Sequence, residues 1–285
     1  MNPARPATRP LTPRAPRPAG VGFQATLRGD EYTAFCEGVR ALCSVDLLQY
    51  KRAQMERRIT TWVERREGGD LKTYLARLRK EPAELDAFLD RVTINVSHLW
   101  RHGEQFKALA DHVLPELAQK GRIRAWSAGA SYGAEAYTIA AVAREAVPNA
   151  RVEIRGTDLD KRMVERARRA EFSADDMRQV PPAVVKRHFE PLPNGGAVPN
   201  EELQRMVRFE VGDLLRMRVS PASFELILCR NTVIYFTEEV RDALHTRLAD
   251  ALVPGGYLVV GASERVADPR ALNLSSPFPF IYRKA

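Results

Sequence analysis

The chain has 285 residues, 45% of them apolar, enough for one large domain or two smaller ones with packed cores. Its longest apolar runs, at 226–229 and 258–262, fall far short of the ~20 residues of a membrane-spanning helix, and Cys36, Cys43 and Cys229 are odd in number and lack metal spacing. Membrane insertion, a disulfide framework and a structural metal are thereby excluded, a cytoplasmic setting is expected, and the net charge of +8 leaves nucleic acid, a membrane surface or an acidic protein as partner.

Residues 1–20 hold six prolines and four arginines with no acidic residue, a composition that cannot bury enough surface to order itself. A disordered tail is expected over 1–22. The amino terminus carries no apolar stretch of the secretory type. From 31 to about 120 the pattern is helical, with Tyr32, Phe35, Cys36, Val39, Leu42 and Cys43 at spacings of three and four. Leu48, Met55, Ile59 and Trp62 extend that period through a helix ending at Gly68-Gly69. Residues 51–80 carry ten Lys/Arg against four Asp/Glu. Lys51, Arg58 and Arg65 are seven apart, so they drift only ~20° per step and form one stripe. Such a stripe is either a solvated face or a docking surface.

After residue 122 strands and helices alternate. Strands are expected at 123–127, 152–157, 207–211, 224–228, 257–261 and 279–283, and helices at 134–146, 161–170 and 238–252. This alternation implies parallel pairing through right-handed crossovers, hence a doubly wound α/β sheet with its ligand at the carboxyl ends of the strands. Residues 172–204 interrupt the alternation. Their Asn194-Gly195-Gly196 favours a tight hairpin turn, hence a small antiparallel insertion.

Four stretches sit at strand tips. Ser127-Ala128-Gly129-Ala130-Ser131-Tyr132-Gly133 follows the first strand with small residues that let backbone approach a ligand, or that merely serve tight packing. Asp158 ends the second strand, 29 residues beyond Gly129, where a carboxylate accepts ribose hydroxyl protons; Asp160 is read as the cap of the next helix. Asp213-Leu214 follows the strand at 207–211. Arg230-Asn231-Thr232-Val233-Ile234-Tyr235-Phe236 follows a buried strand, which does not readily tolerate Arg-Asn, so these polar groups line the crevice or a surface turn.

Together these stretches resemble the CheR-type chemotaxis receptor methyltransferases, which esterify receptor glutamates with S-adenosylmethionine. Thr93-Ile94-Asn95-Val96-Ser97-His98-Leu99-Trp100-Arg101 is similar to that family's T-x-N-x-[ST]-x-F-F-R. Residues 127–137 are similar to SAGCSTGEEPY, 157–160 to TDID, 230–236 to RNVLIYF, and Gly261-Ala262-Ser263-Glu264 to GHSE. The resemblance spans roughly residues 30–285. It implies an all-α amino-terminal domain (23–90) and a linker segment (91–121). A Rossmann-like S-adenosylmethionine-dependent methyltransferase domain (122–285) follows, its small antiparallel β-subdomain inserted at about 172–204.

Carried over by position, Asn95, Ser97, Arg101, Gly129, Glu135, Asp158, Asp213, Leu214, Asn231 and Thr232 would contact S-adenosylmethionine and its product S-adenosylhomocysteine. Arg101 would hold the substrate carboxylate through its planar fork, and the Tyr235 hydroxyl would orient the second oxygen. Lys51, Arg52, Arg58 and Arg65 would face acidic receptor helices or another signalling protein. A monomer without metal, nucleic-acid partner or membrane insertion is expected. An RNA methyltransferase, suggested by charge alone, lacks the expected stacking aromatics and motifs.

The chain departs from the pattern at several positions. Ala134 stands where the family has the glutamate that meets the cofactor's amino group. Loss of one charge-assisted hydrogen bond costs about 1.5–3 kcal/mol, or one to two decades of affinity, so weakened cofactor binding is expected. Tyr132 replaces a threonine and is expected to narrow the pocket, and Asp213 replaces an asparagine. The alternative is a non-catalytic module that binds cofactor or product weakly.

Overall fold

The computed structural model describes residues 29–43, 45–92 and 97–285. The expected tail at 1–22 and Asn95 lie outside the described residues. Helices α1 (Gly29–Cys43), α2 (Arg52–Glu67), α3 (Leu71–Lys80) and α4 (Pro82–Val92) pack around their own core, in which the Phe88 ring meets Phe35 edge-on at 5.7 Å. Local chemistry sets the boundaries. Gly68 ends α2 in the left-handed conformation, and the Asp70 carboxylate caps α3 by accepting from the amides of Lys72 and Thr73.

One expectation is corrected here. Leu48 does not continue the buried face of Met55 and Ile59; it is 37% exposed. The Asp46 carboxylate accepts from the Leu48 amide and starts a separate 3-10 turn (Leu47–Gln49), after which Tyr50 is extended. That extended stretch meets the rest of the molecule as a short ladder. The Lys51 amide donates to the Tyr235 carbonyl at 2.8 Å and the Thr237 amide to the Gln49 carbonyl at 3.0 Å.

Helices α5 (Gly103–Ala108) and α6 (Leu114–Ala118) are joined by a π turn, Leu109–Val113. Pro115 has no amide hydrogen to continue the ladder there, which favours the wider turn. The chain then runs β1 (Arg122–Ala128), α7 (Ala134–Ala146), β2 (Arg151–Asp158) and α8 (Lys161–Arg169). The insertion follows as α9 (Ala174–Met177), α10 (Pro182–His188), β3 (Phe189–Pro191), β4 (Ala197–Pro199) and α11 (Glu201–Met206). As expected from Asn194-Gly195, β3 and β4 form an antiparallel hairpin whose turn places Gly195 at φ +80°. The chain closes with β5 (Val207–Val211), β6 (Phe224–Cys229), α12 (Glu238–Ala251), β7 (Leu252–Val260), β8 (Leu274–Phe278) and β9 (Ile281–Lys284).

The main sheet has the order β5-β2-β1-β6-β7-β9-β8. The first five strands are parallel, whereas β9 runs antiparallel to β7 and β8 antiparallel to β9. The purely parallel expectation is thus corrected at one edge, where β8 was not anticipated. Period-2 alternation sends Leu226 and Leu228 of β6 to one face with α5 and α7, and Ile227 and Cys229 to the other with α12. Strand order reverses between β1 and β6, so a crevice opens outside their carboxyl ends.

Candidate active site

Two adjoining cavities occupy that crevice. The larger, about 170 Å³, takes its floor from Gly129, Asp158, Asp213, Asn231 and Thr232. The smaller, about 30 Å³, is bordered by His98, Phe106, Ala130 and Glu135, and the two share Ser97, Arg101, Gly129, Arg230 and Asn231.

The floor is built from close backbone approach. Gly129 has φ +85°, and a Cβ there would lie 2.4 Å from the Thr232 Oγ1, so only glycine fits. Beyond it the Ser131 amide donates to Asp158 Oδ2 at 2.7 Å, and the Asp160 amide to Asp158 Oδ1 at 2.9 Å. Burial pushes the Asp158 carboxyl above its ordinary range, against the opposing pull of these amides. Each oxygen retains a further lone pair for a ligand hydroxyl. Asp160 caps α8 through the Arg162 amide at 2.9 Å, as expected. Asp213 is held by the Leu215 amide at 2.9 Å.

Asn231 adopts a left-handed φ of +58°, and its amide donates to Glu264 Oε2 at 2.7 Å. The same buried carboxylate accepts from the amides of Gly261, Val233 and Ile234. Glu264 therefore ties down the turn that presents Asn231, Thr232 and Tyr235 to the cavity. Sequence reasoning noted its motif but gave it no role.

Arg230 forms the second organising group. Its Nη1 pairs with Glu135 Oε2 at 3.2 Å, its Nε donates to Gln105 Oε1 at 2.8 Å, and its Nη2 donates to the Arg101 carbonyl. Gln105 in turn donates to the Val260 carbonyl, and Ser127 Oγ donates to Glu135 Oε1 at 2.7 Å. A buried arginine thus fastens the segment carrying Ser97 and Arg101 onto the strand tips. The sequence placed Arg230 at the crevice through the Arg-Asn that ends a buried strand but gave it no partner, and Gln105 carried no signal at all.

Two of the substituted positions lie away from the cavity lining, and the narrowing expected of one, Tyr132, is overturned. Ala134 is fully buried in the apolar cluster beneath α7 and borders neither cavity, whereas Glu135 faces the smaller one. Tyr132 does not narrow the crevice. Its hydroxyl donates to Asp176 Oδ1 at 2.7 Å and contacts the Ser97 carbonyl, the Arg166 guanidinium covers its ring at 3.8 Å, and it borders neither cavity.

Arg101 and Tyr235 both line the larger cavity, as does Leu214. The basic residues of α2 are divided. Lys51 and Arg65 are exposed, and Arg52 pairs with Glu56 at 3.0 Å. Arg58 turns inward, with its guanidinium 5.0 Å from the Tyr235 ring centre and a 3.2 Å hydrogen bond to the Val92 carbonyl. The larger cavity also takes Val45, Asp46, Gln49, Tyr50 and Leu89 from the helical region, none of them expected from the sequence.

This geometry can now be set beside known proteins. A family model described as "CheR methyltransferase, all-alpha domain" matches residues 30–93, and one described as "CheR methyltransferase, SAM binding domain" matches 95–276. A chemotaxis protein methyltransferase of Listeria monocytogenes is 31% identical over 257 residues, covering 89% of this chain and 97% of that protein. A probable chemotaxis protein methyltransferase of Rhizobium etli is 33% identical over 189 residues, 63% of this chain and 70% of that protein. The chemotaxis protein methyltransferase of Salmonella typhimurium is 28% identical over 245 residues, 83% of this chain and 84% of that protein.

Proposed function

Because the chain belongs to the CheR methyltransferase family, we propose that it esterifies glutamate side chains on acidic cytoplasmic helices of chemoreceptors, using S-adenosylmethionine. The observation that carries this reading is the joined pair of cavities, whose lining combines the carboxylates of Asp158, Asp213 and Glu135 with Arg101 and Tyr235. The donor set fits such a cofactor. Asp158 and Asp213 offer acceptors for a ribose and an adenine amino group, Gly129 permits close approach, and Glu135 and Arg101 supply opposite charges for an amino-acid moiety. Ser97, Leu214, Asn231 and Thr232 would complete the wall.

When bound, S-adenosylmethionine supplies an electrophilic methyl group on a sulfonium. The protein's task is then positional. A substrate glutamate, with pKa about 4.3 in solution, is already anionic at neutral pH, so no general base is required. Arg101 grips the incoming carboxylate, the Tyr235 hydroxyl donates to one of its oxygens, and closure of the crevice strips the water that would otherwise solvate the nucleophile. Exposed Lys51, Arg52 and Arg65 suit the α2 face to an acidic helix, while Arg58 turns inward beside Tyr235. We further infer that the division into helical domain, linker and methyltransferase domain with its β-insertion serves this two-sided recognition.

Of the three substitutions that suggested a non-catalytic module, Ala134 and Tyr132 lie outside both cavities, and Asp213 lines the larger one, where its carboxylate still offers an acceptor. Calorimetric titration with S-adenosylhomocysteine tests the reading. Saturable binding is expected; no detectable heat at millimolar ligand would contradict it.

A further inference from the structure

The cavity wall opposite the strand tips comes from the helical region, and its aromatic member is Tyr50. The ring sits where two cores meet, packing at once against the cluster inside α1–α4 and the cluster between the sheet and α12. Its placement follows from sequence. Asp46 caps the start of the short 3-10 turn, Tyr50 leaves it extended, and Tyr50 pairs as an isolated antiparallel bridge with Phe236. The two rings meet edge to face at 5.2 Å, and backbone hydrogen bonds on either side of Tyr50 fix the register.

The side chain borders the larger cavity together with Asp158 and Asp213, which come from different strand ends. Burial, and then the carboxylates of Asp158 and Asp213, push its hydroxyl up to about 12. Leu89, Leu214 and Phe236 add apolar surface to the same cavity. An aromatic ring that shares a cavity with two acceptors and with apolar side chains suits a flat, hydrogen-bond-donating heterocycle.

Resting on the reading of this crevice as the cofactor site, we infer that Tyr50 is a nucleoside-binding residue: the helical region completes the adenosyl pocket through its ring. The cofactor then touches both halves of the molecule, and its affinity depends on a residue far in sequence from every strand tip. Glu135, in contrast, serves the amino-acid end alone.

Calorimetric titration of the full chain with S-adenosylhomocysteine and with methylthioadenosine, which lacks the amino-acid end, tests this. Tyr50→Ala is expected to weaken both ligands by roughly tenfold or more, the scale of losing one base-stacking aromatic. Tyr50→Phe should stay within about threefold of wild type if the ring face carries the contact. Glu135→Gln should weaken S-adenosylhomocysteine while sparing methylthioadenosine. If Tyr50→Ala does not fold, as judged by its thermal transition, Tyr50→Leu takes its place, keeping apolar volume without an aromatic face. Wild-type affinity for methylthioadenosine in a folded Ala or Leu variant overturns the role of Tyr50 while leaving the cofactor site standing. A wild-type protein that binds neither ligand sinks both.

Discussion

Positions 134 and 135 differ by one step on a helix, a rotation of ~100°, and that rotation decides which of them addresses the crevice. Gly133 enters α7 at φ +90°, which turns Ala134 into the core and Glu135 toward Arg230. Ala134→Glu is therefore expected not to tighten cofactor binding. It buries a carboxylate without a partner and should destabilise the fold by several kcal/mol. Glu135→Ala strands the Arg230 guanidinium, whose side chain is 3% exposed, at a cost of about 3–5 kcal/mol. Denaturant midpoints of the two variants check both statements; tighter binding in a fully stable Ala134→Glu protein would contradict them. The helix cap at Asp160 and the position of Asp158 at a strand tip were legible beforehand, because both are local features. The facing of Ala134 was not, since it depends on the phase set by one left-handed glycine.

Elements were legible where periodicity was strong. The helix at 134–146 and the strand at 207–211 were anticipated to the residue. Strand β8 was missed because Ser275-Ser276-Pro277 shows no apolar alternation; an edge strand tolerates proline since half its amides need no partner. The start of α2 was placed too early, at Leu48, because an aspartate cap interrupts an apolar spacing that otherwise continues. Helix α12 carries an element-scale consequence. His245 is 1% exposed with neither ring nitrogen hydrogen-bonded, and burial, then the charge of Arg241, depress its pKa to about 4, against a smaller opposing effect of Asp242. Between pH 6.5 and 4 the unfolded chain takes up a proton that the folded chain does not, so stability falls as pH drops through that window and levels off below it. The loss amounts to about 3 kcal/mol. Chemical denaturation at pH 7 and pH 4.5 should show this loss in wild type and a smaller one in His245→Leu; identical losses would remove His245 from the account.

At the scale of the whole molecule, alternating strands and helices after residue 122 pointed to the doubly wound sheet, and the reversal between β1 and β6 places the crevice. The sequence could not reveal that the helical region closes this crevice, because the contacts join residues far apart in the chain. Arg162 of α8 reaches Asp86 and Asp90 of α4 at 3.3 and 3.1 Å, and Arg216 reaches Asp46 at 3.4 Å. Each such partly exposed pair contributes only ~0–1 kcal/mol, so the short ladder at 49–51 and 235–237 and the Tyr50–Phe236 contact matter more to the closure. The account's central claim is that this closed crevice delivers a methyl group to a glutamate carboxylate held by Arg101. The most direct measurement incubates the protein with methyl-labelled S-adenosylmethionine and chemoreceptor cytoplasmic fragments and follows the label. The account predicts alkali-labile ester label on receptor glutamates with the wild-type protein, and its loss in an Arg101→Ala variant of unchanged melting temperature. Label that is absent, resists alkali or persists undiminished in Arg101→Ala would contradict it.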